Sequence, residues 1–405
     1  MIGPISSSPV SPSPISFAER GTRARQVFGH LEAPQDALVL FDDQFIFYYC
    51  GFAFFPTERP TALIITAQGE RILFVPRLER EHAQQTGEAE RVVDYPEFPG
   101  EVHPADQLAA LLGELGLARA SLGVDYDGYP PVMGYDGPTL SEVLSGATIS
   151  RVSRALDHQM ALKSEAEVTL IRESARWGAQ AHRLLQSYTR AGESETEVEA
   201  RASKEATAEM IAALGPGYRG QNRWMSGAVA LYRGQIGVNS ALPHAMTSGA
   251  TFQMGDTLVT GAGAAVWGYI SELERTMFVG EASAEQRTFF QHMLNLQDIA
   301  FAALKPGATC ASVDQAVRAY FERQQLWDHW RHHVGHSLGQ RIHESPFLDI
   351  GDTRPLEVGM VLSVEPGLYV PGLGGFRHSD TILITPGGME LLTDYPRDLG
   401  SLIVP

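Results

Sequence analysis

Residues 330–346 read WRHHVGHSLGQRIHESP, and residues 363–381 read SVEPGLYVPGLGGFRHSDT. Between them these two strings hold four of the residues on which the reading of the whole chain turns: His336, His343, Glu365 and Arg377. A lone histidine is ordinarily a packing or surface residue. His336, however, is flanked by Gly335 and by Ser337-Leu338-Gly339, small residues that let backbone or a ligand come close. His343 follows seven positions later, before Glu344 and Pro346. So dense a cluster points to a site, with His332 and His333 read as packing or surface residues.

Working outward, GYISELERTM (268–277) places Glu272 and Glu274 two residues apart in a β-type run, so both side chains project from one face. Glu365 ends the apolar run Met360–Val364. Three carboxylates converging near histidines cannot stand uncompensated; a proton, a metal or a cationic ligand must lie between them.

The surroundings of these strings define two domains. Residues 17–32 read as a helix. Apolar runs at Ala37–Phe41, Ile46–Tyr49, Ala62–Thr66 and Ile72–Val75 read as strands, followed by a helix at Asp106–Leu117 and a strand at Ser121–Val124. That mixture describes an α/β domain. Ser164 and Glu167 form a capping-box pattern that opens a helical stretch. Beyond 225 strands dominate, interrupted by helices near 284–303 and 311–325. The expected division is a flexible tail at 1–16, an α/β domain at 17–157 and an α+β domain at 158–405.

Composition excludes several classes. With 405 residues, 44% hydrophobic and 20% charged, the chain carries enough apolar material for sizeable cores. Its 48 acidic against 31 basic residues give a net charge of -17, which repels nucleic acid. No apolar run approaches the ~18 residues of a membrane span. The N-terminus, MIGPISSSPVSPSPIS, lacks the features of a signal peptide. Cys50 and Cys310 fit buried free thiols in a reducing compartment, so a cytoplasmic protein is expected.

The strings PH (243–244), GD (255–256), GHSLG (335–339), HESP (343–346), VEPGLYVPG (364–372) and GGFR (374–377) resemble the "pita-bread" family of Xaa-Pro dipeptidases, aminopeptidases P and creatinases. The resemblance spans the chain and implies an α/β N-terminal domain followed by an α+β pita-bread catalytic domain. Peptidases of this family bind two metal ions through Asp, Asp, His, Glu and Glu. The matching positions here are Gly261, Glu272, His336, Glu365 and Ser379. Two have lost any anionic oxygen, so a carboxylate-bridged pair of ions is not expected.

ELERT (272–276) is also similar to the metal-free creatinase branch. That likeness implies catalytic roles for His244, His336, Glu274 and Glu365. His244 would be the general base, Glu274 and Glu365 would hold N–H or cationic groups of the substrate, and His336 would polarise the scissile centre. It implies substrate-binding or proton-shuttling roles for Arg59, His343 and Arg377, with Arg59 supplied by the partner subunit of a homodimer with a shared active site. Phe347 and Ser379 replace two creatine-binding residues, so creatine is not the expected substrate. The expectation is a metal-independent hydrolase of a C–N bond in a small carboxylate-bearing substrate, without cofactor. One alternative is a metal-dependent Xaa-Pro dipeptidase or aminopeptidase with an altered site, holding one divalent ion on Glu272, His336 and Glu365. A second is a non-catalytic binding module.

Overall fold

The computed structural model describes residues 14–405, which form two compact units, Pro14–Met160 and Ala161–Pro405. Of the tail expected at 1–16, residues 1–13 lie outside the described residues. Ser16 precedes the first helix, Phe17–Gln26, and caps its N-terminus by accepting from the Glu19 N–H.

The N-terminal unit is built on a six-stranded mixed sheet. Its central strand, Ala37–Leu40, pairs antiparallel with Ala62–Thr66 and parallel with Ser121–Val124. Arg71–Pro76 and Arg91–Tyr95 extend one side, and Thr148–Arg151 closes the other. One expectation fails here. Ile46–Tyr49, read as a strand, lies inside the helix Asp43–Cys50. The Asp42 carboxylate accepts the N–H groups of Gln44 and Phe45, and Gly51 ends the helix at φ 70°. A short apolar run cannot distinguish a buried helix from a buried strand by periodicity, and here every residue of the helix is buried.

The C-terminal unit carries two long helices, Glu165–Tyr188 and Glu195–Leu214, against a curved antiparallel sheet. The Ser164–Glu167 capping box forms as the pattern predicts. The sheet runs Glu344–Leu348, Gly335–Ser337, Val361–Val364, Ser379–Thr385, Leu273–Glu274, Gly261–Ala264, Ala228–Leu231, with Gly388–Leu391 added on Ser379–Thr385. Gly178 fixes how close the first helix comes: a Cβ there would lie 2.9 Å from the Gly263 Cα. Two further helices, Ala284–Ala303 and Cys310–Gln324, fall within a residue of their expected places. Both cysteines are buried and free.

Candidate active site

Strand pairing assembles the site from segments far apart in sequence. His336 pairs with Ser363 across one ladder, and Glu274 pairs with Ser379 across another. The carboxylates of Glu272, Glu274 and Glu365 thereby approach one buried imidazole and two guanidiniums.

His336 is fully buried. Its Nδ1 lies 3.0 Å from the Ser337 carbonyl oxygen, which can only accept, so Nδ1 carries a proton. Nε2 therefore faces the carboxylates, 3.3 Å from Glu365 Oε1 and 3.5 Å from Glu272 Oε2. Burial disfavours charge on His336, but the adjacent Glu365 and Glu272 carboxylates outweigh it and lift the imidazole to about 9. Burial and the neighbouring Glu365 and Glu274 raise Glu272 to about 7 against the pull of His336. Glu365 is also disfavoured by burial, yet His336, His332 and Arg377 hold it well below the usual carboxylate range. His343 stacks on His336 with ring centroids 4.0 Å apart. Its own burial, then the charge on His336, depress it to about 4.

Glu274 is differently placed. It is buried and expected to hold a substrate cation, but two arginines occupy it. Arg377 grips both carboxylate oxygens through Nε and Nη2, and Arg233 Nη2 donates to Oε1 at 2.6 Å. Arg377 Nη1 donates to the Tyr369 hydroxyl at 2.8 Å, which in turn lies 2.8 Å from His332 Nε2. His332 thus anchors this network through Tyr369. Sequence reasoning missed Arg233, Tyr369 and His332. For Tyr369 the signal was present in the GLYVPG string, whereas Arg233 sits in a loop that carries no recognisable spacing.

The remaining expected residues are dispersed. His244 lies on the exposed loop after the turn Gly237–Ala241, close enough to His343 to affect its protonation. Arg59 belongs to the N-terminal unit, where its Nε donates to Glu97 at 2.7 Å and its Nη1 to Glu58. Ser379 Oγ lies 2.6 Å from Ser363 Oγ, so a hydroxyl pair occupies the fifth ligand position.

Glu272, His336 and Glu365 each present one ligand atom within 4.8 Å of the others. Among the described residues Glu272 Oε2 and His336 Nε2 are buried without a hydrogen-bond partner. Ligands at ~2.1 Å around a tetrahedral ion stand roughly 3.4 Å apart, close to the 3.3 and 3.5 Å measured here. One ion fits these residues. Gly261 and Ser379 present no carboxylate to this group, and Glu274 is bound by Arg377 and Arg233.

Residues 169–386 match the model of metallopeptidase family M24, and residues 24–159 that of the creatinase/prolidase N-terminal domain. The chain belongs to family M24. It is a C–N hydrolase with the creatinase-type N-terminal domain and the pita-bread catalytic domain. A stretch of 163 residues is 39% identical to the Xaa-Pro dipeptidase of Pyrococcus furiosus, covering 40% of this chain and 47% of that protein. Among solved structures, an Xaa-Pro dipeptidase from Bacillus anthracis is 26% identical with a TM-score of 0.75, covering 96% of this chain and all of that one. Dipeptidase PepE from Mycobacterium ulcerans is 27% identical with a TM-score of 0.79, covering 97% of this chain and all of its own. No helix among the described residues is long and apolar enough to cross a membrane.

Proposed function

We propose that the protein hydrolyses a C–N bond in a small carboxylate-bearing substrate without a metal ion. The observation that carries this reading is the orientation of His336. With Nδ1 committed to Ser337, its Nε2 faces two carboxylates, and an Nε2 proton supplies the cation that arrangement demands. Glu272 and Glu365 are then held as acceptors for substrate N–H groups, and the charged imidazole polarises the scissile centre. His244, on the solvent-facing loop, is the base that activates water and returns the proton to the leaving nitrogen. His343, kept neutral beside His336, can relay that proton. The substrate class includes dipeptides, in line with the names of the relatives. The working assembly is a homodimer, as the creatinase likeness implies, acting in the cytoplasm.

A second reading is favoured by the spacing of the donors. Glu272, His336 and Glu365 would hold one divalent ion, which would supply an acidified water and a Lewis acid. Metal analysis of protein purified without chelator, combined with hydrolysis of an Xaa-Pro dipeptide and ureido-acid panel before and after dialysis against chelator, separates the two. Activity unchanged by dialysis, in protein holding far less than one ion per chain, is expected. Stoichiometric metal whose removal abolishes turnover would replace the first reading with the second.

A further inference from the structure

Arg233 is a cation that neither the sequence pattern nor the family match assigns a role. It follows the strand Ala228–Leu231 and adopts φ 55°, a left-handed conformation that a long side chain rarely takes. The flanking backbone is pinned by Glu199, whose Oε1 accepts from the N–H groups of Tyr232 and Arg233. That turn directs the guanidinium over Gly261, where a Cβ would lie 3.6 Å from Nη2. A side chain at 261 would therefore start in van der Waals contact with the guanidinium.

Among the described residues only Nη2 of Arg233 is committed, to Glu274 and Gln235. Among the described residues its Nε is buried without a partner, and the side chain is 40% exposed. Arg377 is shared between Glu274 and Glu365, which lies 3.8 Å from its Nε, so the charges of the site balance and what Arg233 offers a ligand is its unused N–H donors. The Arg233 guanidinium lines a cleft of about 220 Å³ together with Trp224, Met225, Leu231, Ile270, Leu338 and Ile342 and the two acids Glu272 and Glu274. Apolar walls, a half-exposed guanidinium with unused donors and two carboxylates, one of them already held by arginine, describe the complement of a small amphipathic acid whose N–H group meets Glu272 while its carboxylate meets Arg233.

We infer that Arg233 is the residue that anchors the substrate's carboxylate, and that the substrate carries a branched or aromatic apolar group beside it. This deepens the hydrolase reading and rests on it for the word substrate. The binding claim is independent of turnover. It also moves the anchor from Arg59, whose charge Glu58 and Glu97 already balance, to a residue of the catalytic unit itself. Arg233 acts here as a specificity-determining residue, through a planar fork with donors to spare.

The test is titration calorimetry with N-acetyl-L-leucine and N-acetyl-L-leucinamide, which differ only in the charge to be anchored. Wild-type protein should bind the acid about tenfold or more tightly than the amide, the range of a hydrogen bond to a charged group. Arg233→Gln should abolish that preference while leaving amide affinity within about twofold. Gly261→Asp, which sets a carboxylate against the guanidinium, should abolish it as well, so the conclusion does not depend on one variant folding. Circular dichroism of each variant confirms the fold. Equal binding of acid and amide, no binding of either, or a preference that survives Arg233→Gln and is lost in Arg59→Gln would overturn the inference. Should the acid preference depend on Arg233 while no tested compound is hydrolysed, the hydrolase reading fails and the binding site stands.

Discussion

Arg377 holds both carboxylate oxygens of Glu274 through the Nε–Nη2 edge of its guanidinium, with 4% and 2% of the two side chains exposed. A buried, forked pair of this kind is costly to break from one side, because the surviving charge stays out of water. Arg377 also keeps its Tyr369 contact, so it cannot simply swing to solvent.

Removing the acid should therefore be felt as stability before it is felt as chemistry. Glu274→Ala is expected to lower unfolding free energy by about 3–5 kcal/mol. Urea or thermal denaturation measures it. A loss under about 1 kcal/mol would mean that Glu274 is not the structural counter-ion described here.

His244 offers the opposite behaviour. It is exposed and lies on a loop, so His244→Ala should leave the melting temperature nearly unchanged. The turnover number should fall by roughly two to four powers of ten if His244 is the base. An unchanged rate on a verified substrate would remove it from the mechanism.

Part of the acid sensitivity should come from histidines outside the site. His182 is buried, bonded through Nε2 to Thr260 Oγ1 at 2.7 Å, and burial followed by the charges of Arg275 and Arg183 depress it to about 3. His378 is depressed in the same way, chiefly by burial. The unfolded chain takes up these protons near pH 6.5 while the folded protein refuses them. The stabilisation is complete above about pH 6.5 and is lost as pH falls toward 3, at roughly 1.4 kcal/mol per pH unit for each histidine. Melting temperatures from pH 7.5 to 4.5 should decline, and less steeply in His182→Gln. Parallel slopes in the two proteins would show that His182 does not carry this dependence.

The assembly proposed from the creatinase likeness can be measured directly. Light scattering coupled to size exclusion should give twice the chain mass of 44.2 kDa. Specific activity should fall on dilution through the dissociation range, because a shared site is completed only in the dimer. A fully active monomer would refute the shared site.

Much of this was legible in the sequence. The GHSLG, HESP and VEPG strings marked His336, His343 and Glu365, because glycine and proline around a titratable residue leave a local signature. The Ser164–Glu167 box fixed a helix start, since its two hydrogen bonds are made within four residues. Period-two spacing put Glu272 and Glu274 on one side, and both line the same cleft. Local interactions write themselves into local patterns.

Tertiary structure decided the partners. Ile46–Tyr49 became helix because Asp42 and Gly51 cap it at both ends, a choice periodicity could not make for four apolar residues. Glu274 took Arg377 and Arg233 instead of a free substrate face, and these lie 103 and 41 residues away in the chain. Arg233 emerged only because a left-handed turn aims it over a glycine that a different strand supplies. The identity of a carboxylate is set by sequence. Its charge and its duty are set by what folding brings within about 4 Å of it, where Coulomb energies in a dry interior outweigh any local preference.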